Sequence, residues 1–459
     1  MKKTCNTKTN MLRSAMKGWG KSACTAAVAL CLLLASADAL AQAGSGVYVG
    51  GHIRRARPST ITKLRESGFT YVILFNVNVE ENGDLTVDNG GEAGGVICSN
   101  GQYIFNRVQP NYVADVKALK TEPTSIDRIE ICIGGWGNQS YNRIKDLVNN
   151  EGTGENSILY RNFKALKEAI PEIDAVNNDD EHAYHATTAV VFHKMMYELG
   201  YKTTVAPYTN KSFWTSLVTQ LNRQYPDACD RVLIQCYDGG AGNNPSDWKL
   251  GNLPVHAGRT NYQTDMQTSI NQMQSWKNNN GVVGGFVWVY NDETWDLHQW
   301  ATAMNRVFRP YVVSDEDACA TVYSETNFGG YAINLPEGAF PLADLAAYGV
   351  TKNDIESLKV KEGYQIQLFT ATSPQGASAS NPVFTEESAD LSYLRAGRDA
   401  NFRNRTSSIL ISKIEETGIA LPQDHSTNQN QLFNIQGQPI SQPVDGEVYI
   451  LNGKKYKKQ

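Results

Sequence analysis

The stretch Ile173-Asp174-Ala175-Val176-Asn177-Asn178-Asp179-Asp180-Glu181 joins an apolar lead to a dense acidic end. Read as a β-strand, it alternates its side chains, so Asn177, Asp179 and Glu181 project to one face. Carboxyls stacked on one face suffer desolvation and mutual repulsion. Both effects raise carboxyl pKa values and keep a Glu protonated near neutral pH, the property a general acid needs. The same run could cap a following helix, since Asp and Glu favour a first helical turn. Its place at a strand end after an apolar lead favours chemistry. His182 and His185 lie beside it at a spacing that suits one helix face. No further converging ligands accompany them, and no metal is expected.

Such a strand needs a scaffold. From Gly46 to about Pro310, short β-rich runs alternate with helix-like stretches. The strand candidates are Val47–Ile53, Tyr71–Val79, Ile129–Gly134, Ile173–Asp179, Thr203–Tyr208, Val232–Tyr237, Leu253–Ala257 and Gly285–Tyr290. Amphipathic stretches at Asn111–Lys120, Tyr160–Ile170, Ala186–Leu199, Ser212–Arg223 and Gln263–Lys277 lie between them. Eight strands with intervening helices predict an α/β fold, a (β/α)8 TIM barrel over residues 44–312. A doubly wound open sheet is the rival, but no Gly-rich phosphate loop follows the first strand. In a barrel the C-terminal end of the fourth strand opens into the active-site mouth.

Four ordered motifs then carry a resemblance. Asp174-x-x-Asn177-x-Asp179-x-Glu181 resembles the DxxDxDxE signature of glycoside hydrolase family 18, which includes chitinases and endo-β-N-acetylglucosaminidases. Asp179-Asp180-Glu181 is similar to the DDE form of endoglycosidases of the Endo H and Endo F type. Cys132-Ile133-Gly134-Gly135 resembles the family's SxGG segment, and Gln235-Cys236-Tyr237-Asp238 its strand-six motif ending in Tyr-Asp. Trp288, after Gly284-Gly285-Phe286-Val287, matches the strand-eight Trp under the reacting sugar.

The resemblance implies a residue-by-residue mechanism. Glu181 would protonate the glycosidic oxygen and later activate water. The substrate's own 2-acetamido oxygen would attack carbon, an exception to the two-carboxylate scheme. Asp179 would hold the acetamido N–H and stabilise the oxazolinium-like intermediate, and Tyr237 would hydrogen-bond the acetamido group. Asp238, Trp288, Asn177, Gln235 and Trp136 would bind the sugar, which must be a GlcNAc-containing glycan, from an N-glycan core or a chitooligosaccharide. Two departures stand out. Asn177 replaces the signature's second Asp, although its amide could still bond Asp179. Cys132 replaces a Ser expected to sit behind the catalytic strand. A lectin on the same scaffold is the alternative to an enzyme. Trp214, Trp295 and Trp300 are further stacking candidates, and Trp295 follows a strand end.

The texture changes near Ser314. Residues 316–415 show short alternating runs with little helix, which predicts a small all-β Greek-key domain. Tyr323, Phe328 and Gly330 recur at the same offsets as Phe369, Pro374 and Gly376. This pattern resembles the paired motifs of βγ-crystallin domains. Asn353-Asp354-x-x-Ser357 resembles half of a Ca²⁺ motif, but Leu358 replaces the second hydroxyl residue and Arg403 intrudes in the other half. No cofactor is therefore expected. Residues 416–431 read as a linker and 432–459 as a β tail of two short strands. Its Phe433–Gly437 and Val448–Ile450 segments, with the Lys-rich end, resemble sorting tails of the type IX secretion route; one more hairpin is the alternative.

Residues 1–43 read as a signal peptide. A basic leader precedes the apolar run Ala26–Ala35, and Ala41-Gln42-Ala43 offers a cleavage site. The run is shorter than the ~20 residues of a membrane span, so no transmembrane segment is expected after cleavage. A protein secreted by a bacterium or held at its surface follows. The chain has 459 residues, 41% of them hydrophobic and 19% charged, with a net charge of -5. That balance gives no reason to expect nucleic acid as a partner. Past the leader, Cys98, Cys132, Cys229, Cys236 and Cys319 are odd in number and scattered, so the core, not a disulfide framework, must hold the fold.

Overall fold

The computed structural model describes residues 43–51, 53, 58–87, 95–291, 295–374, 381–392, 401–414, 432–435, 437–442, 445, 448–451 and 454–457. The expected leader (apart from Ala43) and the expected linker lie outside these residues. Eight strands form a closed parallel barrel. They are β1 Gly44–Val49, β2 Tyr71–Leu74, β3 Arg128–Gly134, β4 Ala175–Asp179, β5 Lys202–Val205, β6 Cys229–Gln235, β7 Val255–Thr260 and β8 Gly284–Tyr290. The barrel closes where β1 pairs with β8, from Gly44 opposite Gly284 to Val49 opposite Tyr290.

Helices α1 Pro58–Arg65, α2 Tyr112–Leu119, α3 Ser140–Glu151, α4 Ile158–Ala169, α5 Ala186–Glu198, α6 Lys211–Gln224, α7 Met266–Asn280 and α8 Leu297–Phe308 lie between and after the strands. Two of them, α3 and α4, bridge β3 to β4. Only short 3-10 turns at 238–240 and 245–248 join β6 to β7. The apolar faces of the helices and the outward residues of the strands form one large core. Inside the barrel a second cluster stacks Tyr48, Tyr71, Ile73, Cys132, Leu233, Tyr237 and Phe286. Bulky rings cross the barrel because small residues face them. A Cβ on Gly46 would lie 2.1 Å from the Tyr71 ring.

The run Tyr71–Val79 is not one strand. The barrel strand ends at Leu74, and Val77–Val79 opens a four-stranded antiparallel sheet with 85–87, 96–99 and 102–103. This insertion is anchored on the helices beside it. Ser140 Oγ accepts from Val79 N at 2.9 Å, and Asn162 Nδ2 donates to Gly83 O at 2.7 Å.

Past the barrel, two antiparallel sheets follow. One orders its strands as 329–335, 320–325 and 357–360, the other as 338–340, 408–413, 364–369 and 383–384. Val322, Leu335 and Leu358 of the first meet Ile366, Leu368, Ile409 and Ile411 of the second in one core. A helix, α9 Leu342–Tyr348, docks this module on α8. Asn305 Nδ2 donates to both Gly68 O and Ala346 O at 2.8 Å, while its carbonyl accepts from Ser45 Oγ. Arg306 donates to Gly349 O at 2.7 Å. The seam is thus buried and hydrogen-bonded, and the chain up to Lys413 is one compact unit. Residues from Ile414 form a second unit, where four strands rather than two build a small antiparallel sheet.

Candidate active site

Alternation along β4 sorts the acidic run into two jobs. Asn177 and Asp179 point into the barrel, whereas Asn178 and Asp180 point away from its axis. The Asp180 carboxylate accepts N–H bonds from His182, Ala183 and Tyr184 at 3.0, 2.8 and 2.8 Å. Asp180 thus pins the loop before α5 and does not cap the helix, whose N-cap is His185 with no side-chain cap bond. Asp179 and Glu181 line a cleft of about 610 Å3 at the C-terminal mouth, with Trp136, Gln235, Tyr237, Asp238 and Trp288. Phe75, Tyr208 and the glycines Gly135 and Gly239 complete its walls.

The close approach of β3 to β4 needs glycine. Gly134 has φ +113°, and a Cβ there would fall 2.1 Å from Asp179 O. The next residue, Gly135, donates its N–H to that same oxygen at 2.8 Å. The Asp179 carboxylate receives Gln235 Nε2 at 2.8 Å and the Cys132 thiol at 4.0 Å. Cys132 does not sit behind the catalytic strand; it lies beside it, inside the barrel. Burial, then the Glu181 charge, pushes the Asp179 carboxyl well above its ordinary range. Burial also raises Glu181 to about 7, with Asp180 and Asp238 adding to the rise. Two buried carboxyls this close share protons as a pair. Tyr237 is held protonated, by burial first and the Asp179 charge second, so its hydroxyl is a donor.

Asn177 departs from expectation. It is fully buried and lies outside the cleft lining. Its carbonyl accepts from Tyr48 OH at 2.9 Å, and its amide donates to Thr204 Oγ1 at 2.9 Å. No bond joins it to Asp179 among the described residues. The neighbouring strand offers a hydroxyl at its own level, and that bond wins.

Aromatic groups form the rest of the cleft. Trp288 packs edge-on against Phe75, ring centroids 4.6 Å apart, and against Tyr48 at 5.2 Å. The peptide bonds Phe75–Asn76 and Trp288–Val289 are both cis. Trp136 is 86% exposed on the rim, with the His182 ring beside it. Trp295 instead packs on Tyr290 and Trp300, and Trp214 and Trp300 are buried. Trp214 and Trp300 are core, and half-buried Trp295 packs against that core. Asp238 is bound by Tyr262 OH at 2.8 Å and by Gln263 Nε2. Phe75, Tyr48, Tyr208 and Tyr262 were missed from the sequence. Phe75 was findable, since Tyr71, Ile73 and Phe75 alternate onto the barrel interior; Tyr208 and Tyr262 sit on loops, where no periodicity marks them. Among the described residues no cluster of His, Cys, Asp and Glu is arranged to hold a metal.

In the β module, Ser357 Oγ donates to Glu325 O and accepts from Phe328 N. Leu358 is core, and Arg403 pairs with Glu356 at 2.7 Å. Gly376 lies outside the described residues.

No protein-family profile matches the chain. No curated protein is significantly similar to it. Solved structures do match, over about a fifth of its length. A βγ-crystallin domain from Flavobacterium johnsoniae is 26% identical, covering 22% of this chain and 99% of that one with a TM-score of 0.18. The N-terminal domain of Protein S is also 26% identical, covering 21% and 96% with a TM-score of 0.18. A βγ-crystallin domain from Clostridium beijerinckii is 22% identical, covering 20% and 95% with a TM-score of 0.17.

The raised Glu181 carboxyl has a stability signature. The folded state holds this proton more tightly than the unfolded chain, whose Glu titrates near ~4.3. Stability is therefore present below that value and is lost as pH rises toward about 7. Glu181→Gln removes the loss. The variant should match wild type near pH 4 and exceed it above pH 7 by about 2 kcal/mol, discounted for the partial exposure of the group. Calorimetric melting at both pH values checks the sign.

Proposed function

We propose that this protein is an exported glycoside hydrolase that cleaves GlcNAc-β-1,4-GlcNAc bonds with net retention. In this reading Glu181 is the acid and then the base, and the substrate's 2-acetamido oxygen is the nucleophile. The observation that carries the proposal is the Asp179–Glu181 pair, stacked in one cleft with Glu181 raised to about 7. A carboxyl poised there can give a proton to a leaving oxygen and take one from water at neutral pH. Asp179 faces the same space and is kept in place by Gln235, as a group that steadies an acetamido N–H should be. The Tyr237 hydroxyl points to the same pocket, and Trp288 offers an apolar floor for a sugar ring. The four ordered sequence motifs supply the substrate class, and the DDE form tilts it toward N-glycan cores over chitin.

Product analysis tests this. Purified protein is mixed with chitooligosaccharides and with a high-mannose glycoprotein. Deglycosylated protein carrying one GlcNAc is the expected product. Short GlcNAc oligomers would instead identify a chitinase. If neither substrate changes while glycan still binds, and Glu181→Gln binds equally, the hydrolase reading fails and a lectin replaces it.

A further inference from the structure

A polar cluster lies buried behind β4, on the side of the strand away from the cleft, where the reaction scheme has no use for it. Asn178 and His193 of α5 are both fully buried. Asn178 Nδ2 donates to His193 Nε2 at 2.8 Å, and Tyr141 OH lies 3.3 Å from the same nitrogen. An accepting Nε2 leaves the ring hydrogen on Nδ1, which donates to Thr203 Oγ1 at 3.0 Å. Burial lowers the His193 pKa to about 3, so the ring is neutral throughout the working range.

Satisfying buried polar groups would suffice to explain these bonds, but one of them reaches the site. Asn178 Oδ1 accepts the N–H of Asp180 at 2.9 Å. The carboxylate of Asp180 in turn gathers the N–H groups of His182, Ala183 and Tyr184. The Glu181 carboxyl itself meets the Gln235 side chain, and its backbone is pinned at the residue before it and at the three residues after it. The chain of contacts runs from α5 through Asn178 to the loop that carries the carboxyl.

We infer that Asn178 and His193 are positioning residues that hold Glu181 in the cleft through the backbone of Asp180–Tyr184. The inference rests on the reading of Glu181 as the acid, but its first readout does not require turnover. If the clamp is cut, the loop relaxes and the Glu181 carboxyl gains water. Burial is the main cause of its raised pKa, so hydration lowers it. The charged and titratable neighbours that face Glu181 from outside this loop, namely Cys132, Asp179, Tyr208, Tyr237 and Asp238, stay in place, while Asp180 and Tyr184 move with it.

The experiment is carboxyl-13C NMR titration of the full chain labelled at glutamate, with Glu181→Gln assigning the resonance. In Asn178→Ala and His193→Leu the Glu181 midpoint should fall by about one pH unit or more. With whichever GlcNAc-linked substrate the wild type cleaves, kcat should drop about tenfold or more while KM stays within about twofold, as expected for a displaced reacting group. His193→Gln, whose side-chain carbonyl can still accept from Asn178, should retain both properties. Unchanged midpoints in folded Asn178→Ala and His193→Leu overturn the inference, whatever the loss in melting temperature. Equal behaviour of His193→Gln and His193→Leu also overturns it, because volume and not the acceptor would then matter. Should Asn178→Ala not fold, the two His193 variants decide, and failure of His193→Gln to fold counts against the clamp. A wild type that cleaves nothing defeats the hydrolase proposal alone, and the midpoints still decide this one.

Discussion

Glu181→Gln is expected to lower kcat by about 10²–10⁴-fold, the range a general acid contributes, while KM moves little. The amide keeps the shape and the neighbours of the carboxyl but has no proton to give. Wild-type kcat should fall on the alkaline side as Glu181 deprotonates around about 7. That limb should vanish in the variant, whose residual rate no longer depends on this proton. Asp179→Asn should also cost two or more powers of ten, about 3 kcal/mol of transition-state stabilisation. Its neutral amide can still accept from Gln235 but cannot balance developing positive charge. The double variant should lose scarcely more than the worse single one, since groups that act as a unit are not additive. Initial rates across pH on the substrate that wild type cleaves provide the check. A Glu181→Gln protein retaining more than about a tenth of the activity would remove Glu181 from the role.

The barrel was legible because its signals are local. Short, mostly apolar runs bounded by turn residues mark most of the strands, and all eight candidates overlap the strands observed. The splitting of Tyr71–Val79 was not legible, since period-2 alternation continues through Phe75 while the pairing partner changes from a barrel strand to Leu85–Val87. Alternation along the strand fixed the direction of Asp179, whereas Gln235 and Trp288, which also line the cleft, were named only through the resemblance. The cleft was illegible where a partner on another strand decided the outcome. Asn177 points inward as alternation demands, but only the folded barrel reveals Thr204 at its level and Tyr48 across from it. Trp295 shows the same limit. Its position after a strand says cleft, yet it lies half-buried against Tyr290 and Trp300 at the edge of the core.

Arg128→Met is expected to destabilise the barrel by about 3–5 kcal/mol, the cost of leaving a buried charge without its partner. Arg128 Nε donates to Glu130 at 2.7 Å, and its two terminal nitrogens grip Asp230 at 2.8 and 2.9 Å. The Glu130 side chain is 0% exposed, so water cannot replace the guanidinium. Removing both charges, in Arg128→Met with Glu130→Leu, should recover much of the loss, and urea midpoints of the four proteins in the cycle measure the coupling. Equal midpoints for wild type and Arg128→Met would show that the ion pair does not hold the barrel. The same network gives a reason for Asn177. Its amide donates to Thr204, which frees the Thr204 hydroxyl to donate to Glu130 at 2.5 Å. A carboxylate at 177 would compete with Glu130 for that one hydrogen, leaving a buried acid short of a donor directly beneath Asp179. With asparagine there, Tyr48, Asn177, Thr204 and Glu130 form one unbroken donor-to-acceptor chain that Arg128 closes, and the raised pKa values at the mouth come from burial first and from the acids at the mouth second, with no third acid below them.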